Sequence, residues 1–307
     1  MQRPEPVHAV VVNWNGAGET LGCLESLAAL RPPLAAVHVV DNASSDDSVS
    51  RILAAHPEVR MHQNARNEGF AGGVNPGIRS ALESGAAWVL LMNNDARCEP
   101  DAVARLLAAA RERPDAGLLG GKIYRDRARR VLWSCGVRLG WGPNLGRLRG
   151  FDQIDDGRFD RAGIVDSLTG CGLLVRRAVF ERIGVLDEGY FAYVEDADFA
   201  LRAREAGFRC VYEPAAVFEH PGGGSTGGGY SAGRKYLTAH GAARFLKRHG
   251  TVGTWTGFVI FDVLLWPLLF VLSLFRGRAA GAWAKLRGTV DGLFGRKPDL
   301  SFLGNRR

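Results

Sequence analysis

The sequence predicts an α/β fold, with a mainly parallel central sheet flanked by helices, on three observations. Apolar runs alternate with stretches of helical periodicity through the first hundred residues. Polar motifs stand at the C-terminal ends of those runs, where open α/β sheets bind ligands. The 307 residues, 46% hydrophobic and 23% charged, suffice for a large core, either one extended domain or a domain with an appendage.

Val7 to Val12 reads as a buried strand, and Leu21, Leu24, Leu27 and Ala28 give the following helix its 3.6-residue stripe. Val37 to Val40 is a second strand, ending at Asp41 and a run of small polar residues that starts a helix over 49–55. Val59 to His62 is a third strand. A glycine-rich turn over 67–75 opens a helix to Glu83, and Ala87 to Met92 is a fourth strand running straight into Asn93, Asn94 and Asp95. Further on, Gly170-Cys171-Gly172 precedes a strand from Leu173 to Arg176.

The stretch GYFAYVEDADFALR at 189–202 gathers Glu195, Asp196 and Asp198 where a helix begins. One acid there would cap the helix and complement its dipole. Three within four residues, behind an apolar and aromatic run, exceed that need, and their repulsion calls for a cation, a metal or protonation. Asp198 has a structural reading as well, because Arg202 lies at i+4 on the same helix.

The five cysteines (Cys23, Cys98, Cys135, Cys171 and Cys210) are odd in number and scattered, so neither a disulfide framework nor a zinc site is indicated, and a reducing cytosol is expected. The N-terminus lacks the pattern of a signal peptide. Net charge splits sharply: residues 1–230 hold 26 Lys+Arg against 29 Asp+Glu, net −3, whereas residues 231–307 hold 13 against 3, net +10. A basic tail implies a polyanionic partner. The apolar run from Thr251 to Phe275 favours a membrane surface over nucleic acid. Asp262 and Pro267 inside the run, and basic clusters at both ends, point to a re-entrant or interfacial helical hairpin; a true span, a core helix and a homodimer contact are the alternatives. Residues 277–292 read as an amphipathic helix on the same surface. The expected division is a catalytic domain over 1–229 and a helical, membrane-associated tail over 230–307.

Taken singly, each motif has a plain structural reading: Asp41 as a turn cap, Gly69, Gly72 and Gly73 as packing glycines, Asn94-Asp95 as a β-turn, and His220 as a packed loop histidine. Gly222 to Gly229 reads as a linker or as a lid closing over a bound ligand.

Taken as an ordered set, VVVNWNG (10–16), VVDNASSDDS (39–48), NEGFAGGVNPGI (67–78), LLMNNDA (90–96), the stretch 169–208 and VFEH (217–220) resemble the family 2 glycosyltransferases of the GT-A fold, in particular the bacterial rhamnosyltransferase-like branch. The resemblance covers residues 7–225. It implies an inverting transfer from a nucleotide-sugar donor, dTDP- or UDP-linked with rhamnose foremost, to a hydroxyl of a glycan or lipid-linked acceptor. It also implies Mg²⁺ or Mn²⁺, and a setting at the cytoplasmic face of the cell membrane in envelope polysaccharide synthesis.

Residue by residue, Val12, Asn13, Asn15 and Asp41 correspond to the nucleotide-base pocket, with Asp41 accepting the imide N–H of the base. Asn67 and Gly69 correspond to the ribose and diphosphate side. Asn93-Asn94-Asp95 matches the family's D-x-D position with asparagine replacing the first aspartate, which leaves Asp95 as the acidic metal ligand and His220 to complete the site. Asp196 corresponds to the general base, and Glu195 or Asp198 to a residue that positions it. Two other classes remain: a metal-dependent nucleotidyltransferase, whose triphosphate clamp the uncharged start of the first loop lacks, and a catalytically silent membrane scaffold.

Overall fold

In a computed structural model of the chain, residues 5–126, 128–142, 145–222 and 231–303 are described. The first four strands are β1 (Val7–Asn13), β2 (Ala36–Asp41), β3 (Arg60–Gln63) and β4 (Trp88–Asn93). They are joined by α1 (Ala17–Ala28), α2 (Ser48–Ala55) and α3 (Gly69–Glu83). Their order is β3-β2-β1-β4, all parallel, as the alternating pattern predicts. The register pairs Asn13 with Asp41 and Val12 with Asn93, so the polar strand ends stand at one level along one edge. Across β1, β2 and β3, His8, His38 and His62 form a hydrogen-bonded ladder (3.1 and 3.2 Å), and burial lowers all three imidazole pKa values.

Beyond β4 the sheet becomes mixed. After β5 (Arg97–Cys98) and α4 (Ala102–Glu112) come β6 (Ala116–Tyr124), β7 (Leu132–Ser134), β8 (Val137–Leu139), β9 (Gly146–Leu148), β10 (Gly163–Val165) and β11 (Leu173–Arg176). Then follow α5 (Arg177–Ile183), α6 (Glu195–Glu205) and β12 (Arg209–Glu219). β11 inserts antiparallel between β4 and β6, while β12 runs parallel to β6. Because β11 runs backwards, its N-terminal approach, Thr169 to Cys171, arrives at the C-terminal end of β4, and Gly172 N donates to Leu91 O at 2.9 Å. β5 pairs with the last residues of β12, Arg97 opposite Glu219, which brings the Asn93–Ala96 turn beside His220. Two apolar layers sandwich the sheet. One lies under α1 and α4 around Val11, Leu90 and Phe218, the other under α3, α5 and α6 around Val10, Leu91 and Phe199.

The C-terminal part consists of α7 (Ala232–His249), α8 (Val252–Phe258), a π-helical turn (Val259–Leu264), α9 (Trp266–Phe275) and α10 (Ala279–Leu293). The expected catalytic-domain boundary at 229, and residues 223–229 of the expected lid, lie outside the described residues. α7 seals onto the sheet domain: Arg244 and Arg248 pair with Asp187 at 2.9 and 2.8 Å, and His249 Nε2 meets Asp198 at 2.8 Å.

No single described helix is long and apolar enough to cross a membrane, but Val252–Leu264 and Trp266–Phe275 form a pair bent by 45°. The bend stands in place of the expected hairpin reversal, because Pro267 and the π-helical turn kink a chain that otherwise continues. Of the expected helix over 277–292, residues 279–292 are helical. However, Gly281, Ala282, Ala284, Gly288 and Gly292 of α10 are buried, with Gly288 and Gly292 close against the α7 backbone, and Trp283 is left outward.

Candidate active site

A cavity of about 500 Å³ opens at the strand-end edge of the sheet. Of the residues singled out from sequence, Val12, Asn67, Gly69, Asn93, Asn94, Asp95, Glu195, Asp196 and His220 line it. They come from five separate stretches of chain, gathered by the register described above.

Asn13, Asn15 and Asp41 stand behind that lining. The Asp41 carboxylate accepts from Asn13 Nδ2 (2.8 Å), Ser44 Oγ (2.6 Å) and Ser44 N (2.9 Å), and the residue is 3% exposed. Asn13 is itself buried, accepting from Thr20, and Asn15 Oδ1 accepts from Ser45 N. The 42–45 loop folds back over the strand ends and donates to the Asp41 oxygens, as the turn-cap reading expects. Asn42, beside it, faces the cavity and organises the next loop: its amide donates to Asn67 Oδ1 and Gly69 O, and its carbonyl accepts from Asn64 and Glu68.

Gly69 adopts φ +70°, and a Cβ there would lie 1.9 Å from Phe191 O. Phe70 N donates to that same oxygen at 2.6 Å. The glycine is therefore required by the close approach of the 191–194 turn. That turn carries two consecutive left-handed residues, Tyr193 (φ +70°) and Val194 (φ +73°), a costly conformation for a β-branched side chain. Gly241 of α7 lets the turn pack close, since a Cβ there would meet Tyr193 O at 2.8 Å. The strained turn delivers Glu195 and Asp196 into the cavity as α6 begins.

Burial pushes both carboxyls above their ordinary range. For Glu195 the Asp196 charge adds to the push, whereas hydrogen bonds from Ala197 and Gly170 N–H groups favour the ionised form of Asp196. Glu195 Oε2 is buried without a hydrogen-bond partner. This asymmetry makes Asp196 the better anion of the two. Asp198 is buried in an ion-pair network with Arg202 (2.8 Å) and His249, which matches its structural reading.

Asp95 Oδ1 lies 3.1 Å from His220 Nε2, and Asn93 Nδ2 lies 3.2 Å from the same nitrogen. Burial raises the Asp95 pKa, but the hydrogen bond and charge of His220 outweigh it and the net shift is downward. His220 packs edge-on against Trp133, and its Nδ1 is buried with no partner. Two ligands in adjacent coordination positions, each about 2.1 Å from a small divalent cation, stand about 3 Å apart, so this oxygen–nitrogen pair fits Mg²⁺ or Mn²⁺. No third His, Cys, Asp or Glu joins them among the described residues, and further ligands would come from a bound phosphate. Cys171 lines the same cavity and feels the charge of both Asp95 and Asp196. Its thiol, pushed up to about 12 chiefly by burial, is inert.

Sequence reasoning missed Trp14, Arg125, Trp133 and Arg234, all of which line the cavity. Arg125 lies over Phe151 and pairs with Asp152; Arg234 lies over Tyr193, 5.8 Å from the ring centroid. Both cations reach the site through long-range packing that no local pattern announces.

The family description "Glycosyl transferase family 2" matches residues 9–184. The chain is 33% identical over 219 residues to an N-acetylglucosaminyl-diphospho-decaprenol L-rhamnosyltransferase of Mycobacterium tuberculosis, covering 66% of this chain and 71% of that one. It is 26% identical over 204 residues to the dTDP-rhamnosyl transferase RfbF of Shigella flexneri, covering 66% and 64%. Among solved structures, the mannosyltransferase PcManGT of Pyrobaculum calidifontis, in complex with GDP-Man and Mn²⁺, superposes with a TM-score of 0.57 at 17% identity, over 95% of this chain and 88% of that one. The match over residues 9–184, with the sheet and cavity described above, shows that the chain belongs to glycosyl transferase family 2, on a GT-A fold.

Proposed function

We propose that the protein is an inverting glycosyltransferase that moves a sugar, rhamnose foremost, from a dTDP- or UDP-linked donor to a hydroxyl of a lipid-linked glycan at the cytoplasmic face of the membrane. One observation carries the reading: the Asp95–His220 pair and the Asp196 carboxylate line the same cavity. The relatives named for rhamnosyl transfer support the sugar, and the acceptor printed in one of those names supports the lipid.

Asp95 and His220 would hold Mg²⁺ or Mn²⁺ together with the donor phosphates, and the cation would supply Lewis-acid stabilisation of the departing nucleoside diphosphate. Asp196 takes the proton from the acceptor hydroxyl as that oxygen attacks the anomeric carbon from the face opposite the leaving group. Glu195, protonated, keeps a second negative charge away from the base. Arg125 and Arg234 add positive charge around the diphosphate and acceptor.

Membrane association is supported by the apolar face of the bent pair, where Val263, Leu264, Leu268 and Phe275 are 50, 67, 58 and 85% exposed, and by the net +10 tail. The test is thermal protection of the full chain by a panel of nucleotide sugars with and without divalent cation. dTDP- or UDP-sugars are expected to raise Tm, and cation to enlarge the shift. A shift given only by nucleoside triphosphates would overturn the reading.

A further inference from the structure

The ring of His220 is held without the hydrogen bond that metal-binding histidines ordinarily have. Such a ring usually gives the N–H of its second nitrogen to a carboxylate, a carbonyl or water, and that bond fixes its tilt. In this chain Nε2 faces Asp95 Oδ1 at 3.1 Å and Asn93 Nδ2 at 3.2 Å. Nδ1 is buried and finds no hydrogen-bond partner among the described residues. The rotamer alone leaves the ring plane open, because χ2 of histidine is a broad torsion. The plane matters for coordination, since the nitrogen lone pair lies in it and a tilted ring aims that pair elsewhere.

The contact that sets the plane is with the indole of Trp133. The two ring centroids lie 4.5 Å apart with the planes at 74°, an edge-to-face arrangement. One strand end supports both partners. Tyr124, the last residue of β6, pairs with Leu132 of β7, and its carbonyl accepts from His220 N at 2.8 Å. β7 is short but bonded elsewhere as well: Leu132 N donates to Gln153 O at 2.8 Å, and Leu132 O accepts from Asp152 N at 3.0 Å. Leu132 and Ser134 are buried, and strand alternation turns Trp133, between them, toward the cavity. Past His220 the chain closes on the indole. Gly222 has φ +73°, and a Cβ there would come 3.1 Å from Trp133 Nε1. The indole is thus packed against both the His220 ring and the Gly222 backbone.

We propose that Trp133 is a positioning residue for His220: its edge-to-face packing holds the imidazole in the plane that directs Nε2 at a cation shared with Asp95. The inference rests on the reading of Asp95 and His220 as cation ligands and adds what orients one of the two. Trp133 also packs on the apolar layer under α1 and α4, so a purely structural role is the alternative to be separated.

The test is a Mn²⁺ titration of the full chain saturated with dTDP or UDP, whichever the wild type binds with the cation, read by electron paramagnetic resonance of free Mn²⁺. Trp133→Leu keeps an apolar side chain but no ring, and is expected to weaken Mn²⁺ binding by about tenfold to a hundredfold, the range for losing a group that orients a metal ligand. Trp133→Phe keeps an aromatic edge and should lose less. In the His220→Ala background neither substitution should weaken Mn²⁺ binding further, because no imidazole is left to orient. Wild-type Mn²⁺ affinity in Trp133→Leu would overturn the assignment. So would a loss of the same size in the His220→Ala background, or equal losses in the Leu and Phe variants. If Trp133→Leu does not fold, Trp133→Phe with and without His220→Ala decides by the same cycle: a loss that depends on His220 supports the role, and its absence overturns it. A wild-type chain that binds neither nucleotide with Mn²⁺ would instead sink the cation reading on which the role depends.

Discussion

Replacing Asp196 with Asn is expected to lower kcat for sugar transfer by about 10²–10⁴-fold, the range a positioned general base contributes. Asn keeps the size of the side chain and an oxygen for the Ala197 N–H, so the cavity and the start of α6 should be preserved. It cannot accept the acceptor's proton. Donor binding is expected to stay within a few-fold, because the donor's phosphates belong at the Asp95 end. The pH dependence follows from the direction of the shift. A base must be ionised to work, and burial raises the pKa of the Glu195–Asp196 pair, so wild-type kcat/KM should fall with decreasing pH from a point above the ordinary carboxylate range. The residual activity of Asp196→Asn should lack that limb. Steady-state kinetics between about pH 5 and 9 make the check. Transfer at the wild-type rate in the variant would remove Asp196 as the base.

Asp95→Ala is expected to act at the other end of the cavity. With one of the two protein ligands gone, donor KM in the presence of Mg²⁺ or Mn²⁺ should rise by at least about tenfold, and kcat should fall as the leaving diphosphate loses stabilisation. His220 would remain, still packed on Trp133, so the fold around the site should hold. The discriminating measurement is a cation titration of the donor-induced Tm shift: steep in the wild type, flat in the variant, the two converging when chelator is added. A variant whose donor KM and cation response match the wild type would show that Asp95 holds no metal.

The parallel half of the fold was legible because β1, β2 and β4 are largely buried strands and therefore read as mainly apolar runs, each ending in the polar residues that the sheet register aligns. β5 and β7 to β10 were not, because strands of two or three residues carry no periodicity and exist only through pairing with distant partners. The acidic cluster at 195–198 was visible in sequence, but its division was not. Asp198 is held by Arg202, which i+4 spacing announces, and by His249, which only tertiary packing supplies. At Asp41 the turn-cap reading is the one the local contacts bear out, since Ser44, three residues on, and Asn13 donate to its oxygens. Arg234 was assigned to a tail beyond the catalytic part, and the packing of α7 on the 191–194 turn is what turns it into a cavity residue.

The central claim is that one cavity holds a nucleotide-sugar donor at Asp95 and His220 and an acceptor hydroxyl at Asp196. Its most direct test is nucleoside diphosphate release by the full chain from dTDP-rhamnose with divalent cation, measured with and without a lipid-linked acceptor. The expected result is release that rises with acceptor and matches glycosylated product mole for mole. Release that is absent with acceptor present, for dTDP-rhamnose and for every other dTDP- and UDP-sugar that protects the protein against heat, would contradict it.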